Sequence, residues 1–246
     1  MSMSFVLKIL KESILFTFSN WRVLFKLLLI PLILNVKFEI LHESFLERYA
    51  PFETIHVLCL GIKFLLVIFS VSLWVPQWIQ YYADSNIKLH FFQFGAIEGK
   101  FFRYALLVLL FLIGPLFLWT MGVSLLSSHE EGFSFLLRST IACLPSLAIG
   151  LWLILKISAR FSFIEPSISL LNSDNLRDIW KQTRPYQTQL ICAQTPLAMF
   201  IILNSYITPK SSIVSLLFTF LEALVEAVIA IYVTKIYLIH KKGSRF

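Results

Sequence analysis

Residues 212–239 read SIVSLLFTFLEALVEAVIAIYVTKIYLI, and this stretch decides the fold class. The run is longer than the roughly 20 mostly apolar residues that a helix needs to cross the hydrocarbon core of a bilayer. Its only charged residues are Glu222, Glu226 and Lys235. The stretch therefore predicts a membrane-spanning helix.

The composition of the whole chain agrees with such a helix. Of its 246 residues, 58% are apolar and 14% are charged, and the mean hydropathy is +0.79. Soluble domains are typically about 45–50% apolar and about 25% charged. The composition therefore excludes a soluble enzyme domain, a disordered regulator and a nucleic-acid-binding module, and it leaves an integral membrane protein.

The hydrophobic pattern predicts an all-α, polytopic membrane protein that forms a single membrane domain. Two amphipathic stretches, about 5–18 and 174–183, are predicted to lie in the membrane interface. In the first, Val6, Ile9, Leu10 and Ile14 share one helical face, and in the second we expect Ser173 or Asp174 to cap the helix. The six predicted membrane spans are, approximately, 20–40, 54–81, 100–126, 135–163, 185–207 and 212–239.

The distribution of basic residues predicts the orientation. With six spans, both termini lie on one side of the membrane, and sixteen of the 21 Lys and Arg residues fall on that side. The opposite loops contain Arg48, Arg138 and Lys210. Because basic residues concentrate in cytoplasmic loops, we expect both termini to be cytoplasmic.

Three charged residues fall within the predicted spans at a depth that needs explanation. Glu222 and Glu226 are four residues apart and so share one helical face. Glu222 lies about 15 Å from the start of its span, near the bilayer centre, where a charge costs at least ~2.5 kcal/mol. Lys63 in the second span lies at a similar depth and is a candidate partner. Three interpretations stay open: a structural ion pair, a proton or cation relay, and a water-filled crevice.

Prolines accompany most of the predicted spans. Broken helices can build a midplane substrate site, and the alternative is kinking that only shapes helix packing. The first five spans each have one proline within or near their ends: Pro31, Pro76, Pro115, Pro145 and Pro196.

A basic rim is predicted on the cytoplasmic side. Lys156 and Arg160 share a face at the end of the fourth span, and the rim continues in Arg177, Lys181 and Arg184. These five residues are candidate lipid-headgroup contacts, with ordinary membrane anchoring as the alternative. Between the two groups, Glu165 precedes Pro166, which predicts a helix break there.

The sequence contains neither a catalytic signature nor a Cys/His spacing that binds metal. We therefore expect no enzyme activity and no cofactor.

The order of these features resembles the YciC family of six-span bacterial inner-membrane proteins. The resemblance rests on the proline-containing fourth span, the break at Glu165-Pro166-Ser167-Ile168, the short helix Leu176–Trp180 and the closing stretch Glu226–Tyr237. The break and short helix are also similar to those of bacterial proteins with a glycerophosphodiesterase-type membrane domain. The resemblance implies a fold and a bacterial inner-membrane location, but no established activity. The acids Glu222 and Glu226 depart from the small polar residues usual in the family, which favours a local charge pair with Lys63.

Two functions remain as expectations. The first is a non-enzymatic inner-membrane protein that supports envelope or membrane homeostasis through contacts with lipids or other membrane proteins, and not with nucleic acid. The alternative is a small transporter or channel that uses the proline-kinked helices together with Glu222 and Glu226. The sequence leaves the oligomeric state open.

Overall fold

The structure, a computed structural model, describes residues 3–46, 54–87, 89, 94–127, 148–171, 175–206 and 212–243. All regular elements in these ranges are helical, which confirms the all-α class. A 3₁₀ turn at Arg184–Tyr186 precedes the eighth α-helix. The α-helices are α1 (Met3–Ser19), α2 (Trp21–Leu46), α3 (Thr54–Ala83), α4 (Ala96–Ser127), α5 (148–161), α6 (Ile164–Ser169), α7 (Leu176–Gln182), α8 (Gln187–Tyr206) and α9 (Ser212–Gly243).

Helix α9 contains the segment that is long and apolar enough to cross a membrane. That segment is Leu217–Lys242, and within the described residues it is the one single helix that meets both conditions. The bent pair α1 and α2 adds a second candidate when it is counted as one span. Residues 135–147, the predicted start of the fourth span including Pro145, lie outside the described residues.

The chain changes direction at Asn20, where the sequence predicts the change from interfacial helix to span. Helices α1 and α2 meet at an angle of 76°. The Asn20 side chain donates through Nδ2 to the Phe16 carbonyl at 2.9 Å, and the Tyr81 hydroxyl donates to Asn20 Oδ1 at 3.1 Å. These bonds tie the bend to the end of α3.

The buried face of α1 coincides only in part with the predicted apolar face. Ile9 is buried, but Ile14 is 38% exposed, and the buried face continues instead through Ser13 and Thr17. Ser13 can be buried because its hydroxyl donates to the Ile9 carbonyl one turn earlier, at 2.8 Å.

A fully buried part of the core lies where the end of α3 meets the second half of α9. Trp78 is fully buried, and its indole Nε1 donates to the Ala227 carbonyl at 3.2 Å. From there to Tyr237, most of α9 is buried. Phe163, in the turn between α5 and α6, packs edge-on against Tyr237 with ring centroids 5.4 Å apart.

The helix break lies slightly earlier than predicted. Helix α5 ends at residue 161, and the turn at 162–163 leads directly into α6. Glu165 and Pro166 therefore belong to the first turn of a helix. Proline is tolerated there because the first-turn N–H groups have no partner within the helix. After α6, Leu171 adopts a φ of 56°, in the left-handed region that favours glycine.

The amphipathic helix α7 is shorter than its predicted range. Its N-cap is Asn175, whose Oδ1 accepts a hydrogen bond from the Asp178 backbone N–H at 2.9 Å. The predicted caps, Ser173 and Asp174, lie outside the described residues.

Candidate functional site

A cavity of about 390 Å³ lies among α3, α4, α5, α6, α8 and α9. Its volume is within the range of small-molecule sites, which are mostly apolar with a few convergent polar groups. The walls contributed by α3 and α4 are apolar apart from Tyr104. The other polar lining residues all come from the opposite helices: Ser158, Ser162, Glu165, Gln194 and Glu226.

Two carboxylates face this cavity from different elements. Glu165 comes from the first turn of α6 and Glu226 from the middle of α9, and each is half-buried. They lie close enough for their charges to repel. No Lys, Arg or His is among the described residues that line the cavity. Burial raises the pKa of Glu165 to about 7, because removal from water disfavours the charged form.

The polar side of the cavity is held together by hydrogen bonds between α5 and α8. Gln194 donates through Nε2 to Ser162 Oγ at 3.0 Å. The Ser162 hydroxyl in turn donates back to the Ser158 and Ala159 carbonyls at 3.0 and 3.1 Å. Gln194 Oε1 is buried and has no hydrogen-bond partner within the described residues. The Ser162 hydroxyl and one N–H of Gln194 are therefore used within the protein, and Gln194 Oε1 remains an acceptor without a partner in the described residues.

The structure brings one of the three predicted intramembrane charges to the cavity. Glu226 lines it, whereas Glu222 is not among the lining residues, although its charge lies close enough to repel that of Glu226. The Lys63 side chain lies outside the described residues, so its pairing with either glutamate stays a prediction.

The sequence analysis did not assign Glu165 and Gln194 to a site. The available signal was a single acid in the otherwise uncharged stretch FSFIEPSISLL, residues 161–171. Within the described residues, no group of three or more His, Cys, Asp or Glu side chains is placed to hold a metal ion.

The predicted headgroup contacts occupy different environments. Arg160 donates through Nη1 to the Trp180 carbonyl at 3.0 Å and lies over the Trp180 ring at 5.1 Å. Thr183 Oγ1 donates to the Arg160 carbonyl at 2.9 Å, so this group ties α7 to α5. Lys156 Nζ lies 4.3 Å from the Trp152 ring centroid. The remaining three are exposed on and after α7: Arg177, Lys181 and Arg184.

A second, basic groove of about 330 Å³ lies between α1 and the end of α9. Lys235 Nζ contacts Glu12 Oε2 at 2.9 Å. The hydrogen bond from Lys235 and its positive charge hold the pKa of Glu12 below its usual value. Lys8 and Lys242, which also line the groove, are exposed. Three lysines against one acid give the groove a positive charge.

The fold and these two sites describe a helical protein with an apolar helix of membrane-spanning length, an acid-lined cavity and a basic groove. No protein-family model, curated protein or solved structure matches the chain. The resemblance to the YciC family therefore stays a prediction.

Proposed function

We propose that the protein is a multi-pass protein of the bacterial inner membrane, with six spans and both termini in the cytoplasm. Helix lengths support this proposal. Helices α2, α3 and α4 contain 26, 30 and 32 residues. At 1.5 Å per residue, even the shortest of them extends about 39 Å, more than the ~30 Å hydrocarbon core. Large apolar side chains such as Leu110 and Phe111 point outward from α4, as lipid-facing residues do.

Cysteine labelling tests this topology. In a variant with Cys59, Cys143 and Cys192 replaced by Ala, a membrane-impermeant thiol reagent should label Glu130→Cys and Lys210→Cys in spheroplasts. It should label Asn86→Cys and Asp178→Cys only after the membrane is opened. The six-span arrangement would be excluded if all four cysteines were labelled in spheroplasts. It would also be excluded if all four were labelled only after the membrane is opened.

We propose that the protein acts without catalysis and supports membrane homeostasis through contacts with lipids and other membrane proteins. The basic groove carries this proposal. Beside the groove, the outward face of α1 is apolar: Leu7 is 56%, Leu15 55% and Phe18 55% exposed. An apolar face next to lysines suits a helix that lies in the membrane interface and attracts anionic headgroups.

Lipid binding tests the groove directly. The purified protein should retain phosphatidylglycerol in preference to phosphatidylcholine. Each lysine near an anionic surface contributes about 1 kcal/mol, so Lys8→Gln with Lys242→Gln should lower that preference about tenfold or more. The matched control is Arg177→Gln with Lys181→Gln on α7, which removes the same charge from the predicted rim.

The outcomes separate three cases. If only the variant with Lys8→Gln and Lys242→Gln loses the preference for phosphatidylglycerol, the basic groove is the lipid site. A loss with the α7 pair alone keeps the lipid function but moves it to the rim. If the wild-type protein shows no preference for the anionic lipid, the proposed lipid function is wrong.

A small transporter or channel is the second candidate, and one observation favours it. Glu226 borders a cavity together with Glu165 and no facing lysine or arginine from the described residues, which is an arrangement suited to a cationic solute. Flux of organic cations into liposomes should then depend on Glu226 and decrease in Glu226→Gln. Absence of any protein-dependent cation flux would rule out this candidate.

A further inference from the structure

The lining of the cavity is divided into an apolar side and an acidic side, and this division restricts the kind of ligand that fits. Helices α3 and α4 supply apolar walls such as Val71 and Leu109. The opposite helices supply the Glu165 and Glu226 carboxylates. A ligand that satisfies both sides is amphipathic, with an apolar body and a charged or strongly polar end.

The charge of the acidic side determines the sign of that end. Two carboxylates lie close enough to repel each other, and no lysine, arginine or histidine lines the cavity within the described residues. An anionic ligand would add to this repulsion, whereas a cation between the two carboxylates would relieve it. Ca²⁺ fits poorly, because it requires six to eight oxygen ligands and one wall of the cavity is apolar.

The hydrogen-bonding pattern narrows the ligand further. The Ser162 hydroxyl and the Gln194 Nε2 already donate within the protein. An ionised carboxylate only accepts, and Gln194 Oε1 is an acceptor with no partner in the described part of the chain. A ligand that supplies N–H donors together with its positive charge would satisfy these acceptors.

We propose that the cavity binds a protonated lipophilic amine, with the ammonium group between Glu165 and Glu226 and the apolar body against α3 and α4. This inference deepens the second candidate function and rests on it only for the use of the cavity. Charge-assisted hydrogen bonds from N–H to carboxylate provide the specificity, and burial of the apolar body provides further affinity.

Direct binding to the full chain tests the proposal. The protein is placed in phosphatidylcholine nanodiscs at pH 8, above the pKa of about 7 that burial gives Glu165, with empty nanodiscs subtracted, and binding is measured by equilibrium dialysis. The probe is 4-phenylbutylamine. We expect saturable binding of the amine and about tenfold or more weaker binding of the neutral 4-phenylbutanol, because the alcohol lacks the charge. The trimethylammonium analogue, which has no N–H group, should also bind more weakly than the amine. Equal binding of amine and alcohol, or no saturable amine binding, would overturn the proposal.

Variants locate the ammonium group. Glu165→Gln and Glu226→Gln should each weaken amine binding about tenfold or more and leave alcohol binding nearly unchanged. Glu222→Gln is the matched control, because it removes the same charge from α9 at a position that does not line the cavity. Its effect should be clearly smaller than that of Glu226→Gln, because Glu222 interacts with the ammonium group only through its charge and from outside the cavity. If Glu222→Gln weakens binding as strongly as Glu226→Gln, the ammonium position is wrong.

A variant that fills the cavity tests whether the apolar body of the ligand lies there. Ala105 lines the cavity from α4, and Ala105→Phe should prevent binding of amine and alcohol alike. Retained binding of phosphatidylglycerol shows that this variant is folded, because the basic groove is formed by other residues. Amine binding that survives Ala105→Phe would overturn the proposal.

The two functions fail in different ways. Amine binding without amine flux would exclude transport and leave the binding site intact. Protein-dependent flux of another cation, without saturable amine binding, would overturn the amine and leave transport.

Discussion

Helix α9 meets acidic side chains from other helices at two places. At one place the acid lies beside a lysine of α9, and at the other it lies near a glutamate of α9. Near its end, Lys235 pairs with Glu12 of α1 at 2.9 Å. Nine residues earlier, about 14 Å along the helix, Glu226 faces the cavity together with Glu165, another acid. One site compensates its charge within the protein, and the other places two like charges beside an open volume.

The segment between the two sites explains how both can exist on one helix. Ala227 and Ile231 are buried and do not line the cavity, and Trp78 of α3 donates to the Ala227 carbonyl. One side of α9 between Glu226 and Lys235 is therefore packed against α3. Among the described residues, no cation lines the cavity that Glu165 and Glu226 face, whereas Lys235, nearer the end of the helix, is paired with Glu12.

Substitution of the packed segment should have the largest effect. Trp78→Ala removes a fully buried indole and leaves the Ala227 carbonyl without its donor, so it should lower the free energy of unfolding by about 3–5 kcal/mol. Leu109→Ala, beside the cavity, is the matched control and should cost clearly less, because the space around it is already open. Denaturant unfolding in detergent micelles measures both. Equal losses would mean that the cavity wall is packed as tightly as the core.

Glu226→Leu should have the next largest effect on the free energy of unfolding, and it should not lower this free energy as Trp78→Ala does. It removes a charge that has no cationic partner among the described cavity residues, so the free energy of unfolding should stay unchanged or rise by up to about 3 kcal/mol. The same unfolding assay checks this.

An ion pair between Lys63 and Glu226, which the sequence suggests, would give the opposite change in stability for Glu226→Leu. If Lys63 pairs with Glu226, the substitution leaves an unpaired buried lysine and should destabilise the protein by about 3–5 kcal/mol. A loss of that size, reversed in the double variant with Lys63→Met, would restore the predicted ion pair and contradict the cavity interpretation.

Local periodicity predicts helices well here, but it does not predict which acids meet. The pattern places the α1–α2 boundary at Asn20 and the start of the last helix at Ser212. Depth counted along each helix suggests Lys63 as a partner for Glu222 or Glu226. It cannot reveal Glu165, because the position of Glu165 depends on the turn at 162–163 and on how α6 packs against α3, α4 and α9. Charge contacts between distant segments depend on packing, which one sequence does not encode locally.

The stability contributed by Glu165 and that contributed by Glu12 should change in opposite directions with pH. Burial raises the pKa of Glu165 from the usual range of a carboxyl group to about 7. Its contribution to stability is therefore complete below the unfolded pKa and is lost as the pH rises through about 7. Glu226 from α9 and Gln194 from α8 face the same cavity, and ionisation of Glu226 would add to the loss. The melting temperature of the wild type should decrease from pH 5 to pH 8. In Glu165→Gln the decrease should be smaller, and an equal decrease would contradict this assignment.

Glu12→Gln should have the smallest effect, with the opposite pH dependence. Lys235 lowers the pKa of Glu12 by hydrogen bonding and by its charge, so the pair stabilises the protein above the unfolded pKa and loses that contribution as the pH falls. The melting temperature of Glu12→Gln should therefore lie slightly below that of the wild type at pH 7 and approach it in acid. Because the Glu12 side chain is 46% exposed, salt should also reduce the difference. Lys11→Gln, which removes a charge from α1 outside the groove, should not show this convergence in acid. A Glu12→Gln difference that persists in acid and in high salt would mean that the two helices are joined by packing alone. The paired site would then owe its stability to contacts of the same kind as the packed segment beside it.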